Sequence, residues 1–453
     1  MTSPLTALVN IISSNVQSLE GAYAKAETPF PSLDDPFRPT LLDFDPSLAE
    51  TRNLIVAAAA QLLATVRSPI EMLQDYAPGM YWTATLGFVV DVNVPDILKD
   101  AGPQGLHVKE ISAINGIDPS YLSRILRFLA TRHVFKEVTP DVFANNRLSS
   151  LLQKTKSVEE IKADPVGRFD GAPLASFISA FADESLKSCA HFSDMLQNPS
   201  KAAAAFNIAL NTEAKMWDWY EEPGNEWRAR RFTAAMTGGA DRFPSEIFTN
   251  GIGGKDLQEG DVVVDVGGSV GSAVLPMYKA FPHLKFVVQD LAKQVIAAEG
   301  FWKEHAPEAV PSGRVKLQAH DFFTPQPVKG AAVYFLRVVI HDWPDHDAKK
   351  ILQHLRDAAA PSSKLVIFDS LAVHTCEDPS ANPATVQKAP YPLLANLGIA
   401  GAGFNTSLDI QMMNVFNGKE RTEKDFKELG NATGWKFESL TPGLLPTFTF
   451  SAA

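Results

Sequence analysis

The chain has little cysteine and no apolar run long enough to cross a membrane. Only two of its 453 residues are cysteines, Cys189 and Cys376, so the sequence offers neither a disulfide framework nor a cysteine-based zinc site, and we expect no metal. The longest apolar run, residues 54–66, is interrupted by Gln61 and falls short of the roughly 20 residues that span a bilayer. We therefore expect a cytoplasmic protein with no membrane partner.

Positive charge is also scarce. The 41 lysines and arginines are outnumbered by 52 aspartates and glutamates, which gives a net charge of −11. This shortage matters because residues 106–150 have the pattern of a winged helix, with two helices joined at Gly116 and two short wing strands. Its second helix carries only Arg124 and Arg127, too few cations to neutralise a phosphate backbone. We therefore expect no nucleic-acid partner.

An apolar run that ends in a glycine-rich turn is the most informative feature present. Residues 262–266 are typical of a buried parallel strand. Asp265 lies near its end and Gly267 and Gly268 follow, where open α/β sheets bind nucleotide-like ligands. A dinucleotide fingerprint would continue with further glycines, but this chain has serines in their places, and no P-loop lysine follows. The turn therefore predicts a nucleotide-like ligand without phosphates.

Two further predicted strands also end in acids. Asp290, followed by Leu291, comes about 25 residues after the first acid, a separation that suits hydrogen bonds from ribose hydroxyls. The next strand leads to Asp321 and Phe322, which offer an acceptor for an adenine amino group and an aromatic wall for its ring. Asp290 and Asp321 could instead be N-caps of the helices that follow. Together the three acids suit a ribose, an adenine and a cationic amino-acid tail.

A fourth predicted strand leads through Arg337 to His341. The chain shows five motifs in order: DVGGSVG at 265–271, QDL at 289–291, HDFF at 320–323, HDW at 341–343 and GKERT at 418–422. In these motifs and their spacing it resembles the class I S-adenosylmethionine-dependent O-methyltransferases of the caffeate and fungal natural-product type. The resemblance implies an α/β fold with a Rossmann-like, doubly wound methyltransferase sheet and an N-terminal, mainly helical winged-helix dimerisation domain. It also implies S-adenosyl-L-methionine as the cofactor, and a homodimer.

The same resemblance implies roles for the side chains around the fourth strand. In the family, the residue matching His341 takes a proton from the acceptor hydroxyl, and carboxylates matching Asp369 and Glu420 orient it. An imidazole that titrates near neutrality suits this work. Asp369 stands where a longer glutamate is more usual. Arg337 matches a cation that the family places near the cofactor or the substrate.

The comparison with the family also suggests how the chain is divided. The predicted segments are an N-terminal helical dimerisation region (1–105), the winged-helix-like part (106–150), a helical bridge that roofs the substrate pocket (151–250) and the cofactor-binding methyltransferase domain (251–453). Within the last, residues 374–404 are rich in proline, glycine and alanine and predict a lid or ordered loop.

Five side chains, four of them apolar and one acidic, are candidates for contact with a large apolar substrate. The candidates are Trp227 and Phe232 in the bridge and Asp409, Met412 and Met413 on or beside a helix predicted over residues 407–416. Aromatic stripes at helical spacing usually fill cores, and methionines do so about as often as they line ligand sites.

Over its whole length the sequence is most similar to the fungal O-methyltransferase-like pericyclases, which retain bound S-adenosylmethionine but isomerise polyketide-derived pyridones. This resemblance rests on the length, the extended N-terminal region, the lid sequence, and Phe232, Arg337 and Met413. It implies stereoselective dehydration and hetero-Diels–Alder-type cyclisation of a pyridone quinone methide, with Arg337 or His341 polarising its carbonyl oxygen. The alternative is methyl transfer to a phenol or pyridone hydroxyl with His341 as general base. A non-catalytic DNA-binding regulator is disfavoured by the acidic charge and the retained histidine.

Overall fold

The computed structural model describes residues 2–200, 202–240, 244–379 and 388–453. The chain forms two compact units. Unit one comprises Met1–Gly239 and Ala389–Gly401, and unit two comprises Ala240–Lys388 and Ala402–Ala453. The domain limits expected from the sequence, at residues 105, 150 and 250, stay predictions.

Unit one is mainly helical. Its helices are α1 (Pro4–Lys25), α2 (Ala49–Val66), α3 (Pro69–Tyr76), α4 (Met80–Asp91), α5 (Val94–Ile97), α6 (Val108–Asn115), α7 (Pro119–Ala130), α8 (Val158–Ala163), α9 (Pro173–Ala180), α10 (Leu186–Cys189), α11 (Phe192–Gln197), α12 (Ala205–Leu210), α13 (Met216–Trp219) and α14 (Glu226–Ala240). Its strands are β1 (Leu106–His107), β2 (Lys136–Thr139) and β3 (Val142–Ala144), in the order β1-β3-β2.

The predicted winged helix is present in unit one. α6 ends at Gly116, whose φ of 77° is the left-handed conformation that suits glycine after a helix. α7 begins where the Asp118 side chain accepts the backbone N–H of Ser120, and its buried face presents Leu122 and Leu126. Strands β2 and β3 form the antiparallel wing.

A π-helical turn, Phe181–Ser185, joins α9 to α10 and carries two acids. Arg231 of α14 is 1% exposed and donates hydrogen bonds to the carboxylate of Glu184 and to the hydroxyl of Ser179. Burial of an arginine requires such partners. The π-turn therefore supplies the counter-charge that holds α14, the helix that also carries Trp227 and Phe232.

Unit two is built on a seven-stranded sheet in the order β6-β5-β4-β7-β8-β10-β9. Its strands are β4 (Val262–Val266), β5 (Lys285–Asp290), β6 (Val315–Ala319), β7 (Val333–Arg337), β8 (Lys364–Phe368), β9 (Trp435–Thr441) and β10 (Thr447–Ala452). β4 to β8 pair in parallel, and β10 runs antiparallel to both β8 and β9. The carboxyl ends of the five parallel strands therefore share one edge.

Helices cover both faces of this sheet. They are α15 (Ser245–Gly251), α16 (Val274–Ala280), α17 (Ala292–His305), α18 (Asp345–Ala358), α19 (Gly403–Phe416) and α20 (Glu423–Ala432). Successive residues of β4 point to opposite faces: Val263 packs in one apolar cluster with Trp302 of α17, and Val264 packs in another with Leu352 of α18. Two buried faces explain why β4 is apolar throughout.

The predicted lid is shared between the two units. Its residues 380–387 lie outside the described part of the chain, and Ala389–Gly401 belong to unit one. There the amide of Gln61 on α2 donates to the carbonyl oxygen of Pro392 at 2.8 Å. At least this part of the segment is therefore ordered against unit one.

Over the described residues, no single helix is both long and apolar enough to cross a bilayer. One bent helix pair, Pro46–Val66 with Pro69–Tyr76, meets the criterion by length and composition alone.

Candidate cofactor site and active site

The turn after β4 requires glycine at two successive positions. Gly267 has a φ of 72°, and a Cβ there would lie 3.1 Å from the side chain of Val339. A Cβ on Gly268 would lie 2.3 Å from the carboxylate of Asp265. Neither position therefore has room for a side chain, and the turn keeps a bare backbone at the carboxyl end of β4, where open α/β sheets bind ligands.

Asp290, at the end of β5, holds the turn in place. Its Oδ2 accepts the backbone N–H of Ser269 and its Oδ1 accepts that of Leu291, both at 2.7 Å. Burial raises the pKa of Asp290, and these two backbone hydrogen bonds oppose the rise. The carboxylate therefore braces the glycine turn while standing at the edge expected for a ribose. Leu291 beside it is 52% exposed.

Asp265 is a buried acid without a full set of partners. Among the described residues its Oδ2 has no hydrogen-bond partner. Burial and the nearby Asp290 charge, opposed by the Arg337 guanidinium, together raise its pKa to about 7. A buried, unpaired carboxylate oxygen at a strand end is suited to a cationic group of a ligand.

Arg337 lies at the end of β7 and points toward the glycine turn. Its Nη2 donates to the hydroxyl of Ser272 at 3.2 Å. In the sequence, Ser272 is one of the serines that replace fingerprint glycines, and that pattern does not predict its contact with Arg337. The geometry puts Arg337 beside the predicted cofactor turn.

Asp321 and Phe322 follow β6 at the same edge. Asp321 is exposed and its Oδ1 accepts the backbone N–H of Phe323 at 2.9 Å. The ring of Phe322 meets that of Trp343 edge to face at 5.7 Å, and it also borders Gly267. The three predicted acids and the aromatic wall therefore lie along the ends of β4, β5 and β6.

His341 lies in the short 3-10 turn Ile340–Asp342 after β7. The chain enters this turn through Val338, whose φ of 55° is unusual for a β-branched residue. His341 is 6% exposed, and its Nδ1 lies 2.7 Å from Oε1 of Glu420. A carboxylate at Nδ1 favours the tautomer that carries its proton there. Nε2, which lies 3.5 Å from Oδ1 of Asp342, is then the ring nitrogen left to act on a substrate.

Asp369 reaches the backbone of His341 and not its ring. Its Oδ2 accepts the His341 N–H at 3.2 Å, whereas its Oδ1 is 3.8 Å from Nδ1. The side chain, one methylene shorter than glutamate, thus leaves the orienting contact to Glu420. Ligand-type atoms of these three residues lie within 4.8 Å of one another. The 2.7 Å Nδ1–Oε1 separation, however, is shorter than two ligands of one metal ion would allow, which makes this a proton site.

The carboxylates around His341 control its charge. Burial alone would lower the pKa of His341, but the charges of Asp369 and Asp342 and the hydrogen bond to Glu420 outweigh it and raise the pKa to about 10. Burial raises the pKa of Asp342 to about 7, although the imidazolium opposes this. Burial likewise raises the pKa of Asp369. The cluster therefore holds an imidazolium at neutral pH.

The GKERT segment packs directly on the histidine turn. The backbone N–H of Lys419 donates to the carbonyl oxygen of His341 at 3.0 Å. Arg421, 1% exposed, donates to the carbonyl oxygens of Ile340 and Trp343 at 2.8 and 2.9 Å. The sequence alone gives Arg421 no role. Its position next to Glu420 is the signal that could have pointed to one.

α19 packs beside this segment. Asp409 is half-buried and its Oδ1 accepts the backbone N–H of Glu420 at 2.9 Å. Met412 is buried and Met413 half-buried. The predicted substrate residue Asp409 therefore contacts Glu420, the residue whose carboxylate lies at Nδ1 of His341.

Trp227 and Phe232 belong to unit one. The guanidinium groups of Arg168 and Arg228 each lie 4.4 Å from the Trp227 ring. Phe232 meets Trp217 edge to face at 5.3 Å. These contacts fix both rings in α14, and their contact with substrate stays a prediction.

Comparison with known proteins identifies the family. Residues 74–155 match the O-methyltransferase dimerisation domain, and residues 228–436 match the O-methyltransferase domain. A curated O-methyltransferase of Armillaria gallica is 40% identical to this chain, over 97% of the chain and 96% of its own length. The chain belongs to the O-methyltransferase family. Another member, 4-O-methyltransferase 1 of Phanerochaete chrysosporium, is 33% identical over 96% of this chain and 95% of its own length.

Solved structures share the O-methyltransferase fold over most of the chain. OxaC, in complex with sinefungin and meleagrin, has a TM-score of 0.67 and 21% identity over 98% of this chain and 99% of its own. LepI in complex with SAM has a TM-score of 0.65 and 20% identity over 98% and 100%. A pericyclic reaction enzyme has a TM-score of 0.65 and 21% identity over 91% and 96%. The predicted family, fold class and cofactor are confirmed.

The residues of this member of the O-methyltransferase family fit S-adenosylmethionine. The side-chain-free turn at Gly267 and Gly268 would accept its backbone-contacting part. Asp290 would accept ribose hydroxyls, and the unpartnered oxygen of Asp265 would accept a cationic group.

Proposed function

We propose that this protein transfers a methyl group from S-adenosylmethionine to a hydroxyl of an aromatic small molecule. The single observation that carries the proposal is the buried 2.7 Å contact between His341 and Glu420 at the carboxyl edge of the sheet. Curated relatives at 30 to 40% identity named as O-methyltransferases support it.

The proposed chemistry depends on His341. Bound S-adenosylmethionine would supply an electrophilic methyl group. In the neutral form of His341, Nε2 would take the proton from the acceptor hydroxyl as that oxygen becomes nucleophilic, and the resulting imidazolium would be stabilised by Glu420 at Nδ1. Asp369 would keep the histidine backbone in place. Holding acceptor and base in one geometry contributes to the rate without any further group.

The pericyclase predicted from the sequence is the second candidate, and a specific observation favours it. At a pKa of about 10, His341 is an imidazolium at neutral pH. An imidazolium donates a strong hydrogen bond to a carbonyl oxygen, as cyclisation of a quinone methide requires. Arg337 supports this candidate less, because its guanidinium donates to Ser272 and its charge acts on Asp265 in the cofactor site.

Incubation with methyl-labelled cofactor tests the proposal. The purified protein is given a panel of phenols, together with a pyridone alcohol and its quinone methide, and products are followed by mass spectrometry. Label in the product supports methyl transfer. An unlabelled isomer or dehydrated cyclic product, with no labelled product from any acceptor, would overturn it in favour of the pericyclase.

The variant His341→Ala sharpens this test, and His346→Ala, at a side chain that is 77% exposed, is the matched control. Methyl transfer should collapse in the first and persist in the second. A cyclisation governed by pocket shape would be reduced far less by His341→Ala.

We also propose that the protein is a cytoplasmic homodimer whose interface includes an apolar patch on α2, α3 and α4. The exposed large apolar residues of this patch are Val56, Leu63, Val66, Ile70, Leu73, Tyr76, Met80, Tyr81 and Trp82. α3 has no buried residue of its own, and an exposed patch of this kind marks an interaction site. The patch continues into residues 74–155, which match the dimerisation domain, so a second copy of the chain is the occupant that fits.

A further inference from the structure

Glu420, the partner of the proposed base, is held less firmly through its side chain than its burial suggests. One carboxylate oxygen, Oε1, contacts Nδ1 of His341 at 2.7 Å. The other, Oε2, is buried and has no hydrogen-bond partner among the described residues. The direction of the carboxylate therefore depends on where the Glu420 backbone is fixed.

That backbone is fixed by a side chain of another element. Oδ1 of Asp409, on α19, accepts the N–H of Glu420 at 2.9 Å. A carboxylate acceptor makes this a charge-assisted hydrogen bond, stronger than a neutral one. The bond spans eleven residues and fastens the segment before α20 to α19 at the residue that contacts the base.

The same helix carries the methionines predicted to contact substrate. Met412 and Met413 follow Asp409 by three and four positions, a spacing that puts side chains on one face of a helix. A shift of α19 that accommodates a different acceptor would therefore also move the Glu420 backbone.

We propose that Asp409 is a positioning residue: through the N–H of Glu420 it holds the Glu420 carboxylate on Nδ1 of His341, and it ties the base to the helix of Met412 and Met413. The kinetic part of this inference rests on the proposed function. For an acceptor that fits α19 poorly, both kcat and affinity then fall, because a shift of the helix moves the Glu420 carboxylate away from Nδ1 of His341.

Two substitutions separate the hydrogen bond from the charge. Asp409→Leu is close in shape, favours helix and removes the acceptor, whereas Asp409→Asn keeps a carbonyl oxygen at the same place and removes only the charge. Asp409→Ala provides a second variant without the acceptor should the leucine be poorly accommodated. Asp357→Ala, at an exposed acid on α18, is the control, and thermal unfolding checks that each variant is folded.

The first readout does not depend on activity. The protein is labelled with ¹³Cε1-histidine, His341 is assigned by the signal lost in His341→Gln, and its titration is followed by NMR. Because Glu420 holds the proton on the ring, Asp409→Leu should lower the titration midpoint of His341, and Asp409→Asn should recover most of that loss. An unchanged midpoint in Asp409→Leu, or equal shifts in both variants, would overturn the inference whether or not the protein transfers methyl groups.

The second readout is steady-state methyl transfer with the best acceptor found. Asp409→Leu should lower kcat by about tenfold while KM for the acceptor changes by less than about twofold, the pattern of an interaction made in the transition state. A raised KM with unchanged kcat would instead mean that Asp409 contacts the substrate. Absence of methyl transfer by the unaltered protein would refute the proposed function and leave the NMR result to decide the inference.

Discussion

The protonation of His341 is set by its neighbours, and it makes activity depend on pH. A general base must be neutral, and the pKa of His341 is raised to about 10. We therefore expect kcat for methyl transfer to rise about tenfold per pH unit from roughly pH 7 to 9, measured as labelled product under saturating substrates. A flat profile over this range would contradict the assignment of His341 as base.

Glu420→Gln provides a second test of the same cluster. Because the Glu420 carboxylate raises the pKa of His341, its removal should move the rising part of the profile to lower pH. The maximal kcat should fall by about tenfold or more, since the imidazolium loses its partner. A profile whose midpoint stays in place would show that Glu420 does not act on the histidine.

Asp265 predicts how the cofactor affinity responds to pH. Its pKa is raised to about 7, and only the ionised carboxylate attracts a cationic group. The affinity for S-adenosylmethionine, measured by calorimetry, should therefore increase severalfold between about pH 6 and 8. Asp265→Asn should weaken binding and remove this dependence, while Asp256→Asn, at an exposed acid, should keep it. Equal pH dependence in both variants would exclude Asp265 as the titrating group.

Individual site residues could be predicted where they lie near a strand end. Asp265, Asp290 and His341 each follow from an apolar run and the turn after it. The contacts of Asp409 and Arg421 could not be predicted in this way, because they depend on how α19 and the GKERT segment fold back on the histidine turn. Their partners lie 11 and 81 residues away along the chain.

At the scale of elements, Gly418 permits the close packing of the GKERT segment on the histidine turn. A Cβ at this position would lie 2.2 Å from the carbonyl oxygen of His341. Gly418→Ala should therefore push the segment away and lower kcat by about tenfold or more, with cofactor binding largely retained. Gly443→Ala is the control, since nothing lies within 4 Å of its Cβ. Equal kcat in the two variants would show that the packing is not needed for catalysis.

The limits of elements could be predicted well where a local signal ends them. Gly116 ends α6 as its left-handed conformation requires. The helix predicted over residues 407–416 begins four residues earlier, at Gly403, where the hydroxyls of Thr406 and Ser407 donate to the Gly403 carbonyl oxygen. β10 extends to Ala452, and Ser451 near its end pairs with Lys364 of β8, a partner that local sequence does not reveal.

At the scale of the whole molecule, the apolar patch on α2–α4 predicts the oligomeric state. We expect light scattering to give the mass of a dimer, and Ile70→Glu to shift it toward the monomer, because a charge would be buried in the interface. Ile296→Glu is the matched control, since the two isoleucines are 69% and 68% exposed. A dimer that withstands Ile70→Glu would place the interface elsewhere.

The return of Ala389–Gly401 to unit one has a consequence for synthesis. Domains generally begin to fold from the N-terminus while the ribosome is still adding residues. α2, however, receives its hydrogen-bond partner Pro392 only after residues 240–388, the larger part of unit two, have been made. A nascent chain released at residue 239 would thus present α2 without that partner. The N-terminal unit is the first to emerge, and it cannot be completed until most of the second has followed.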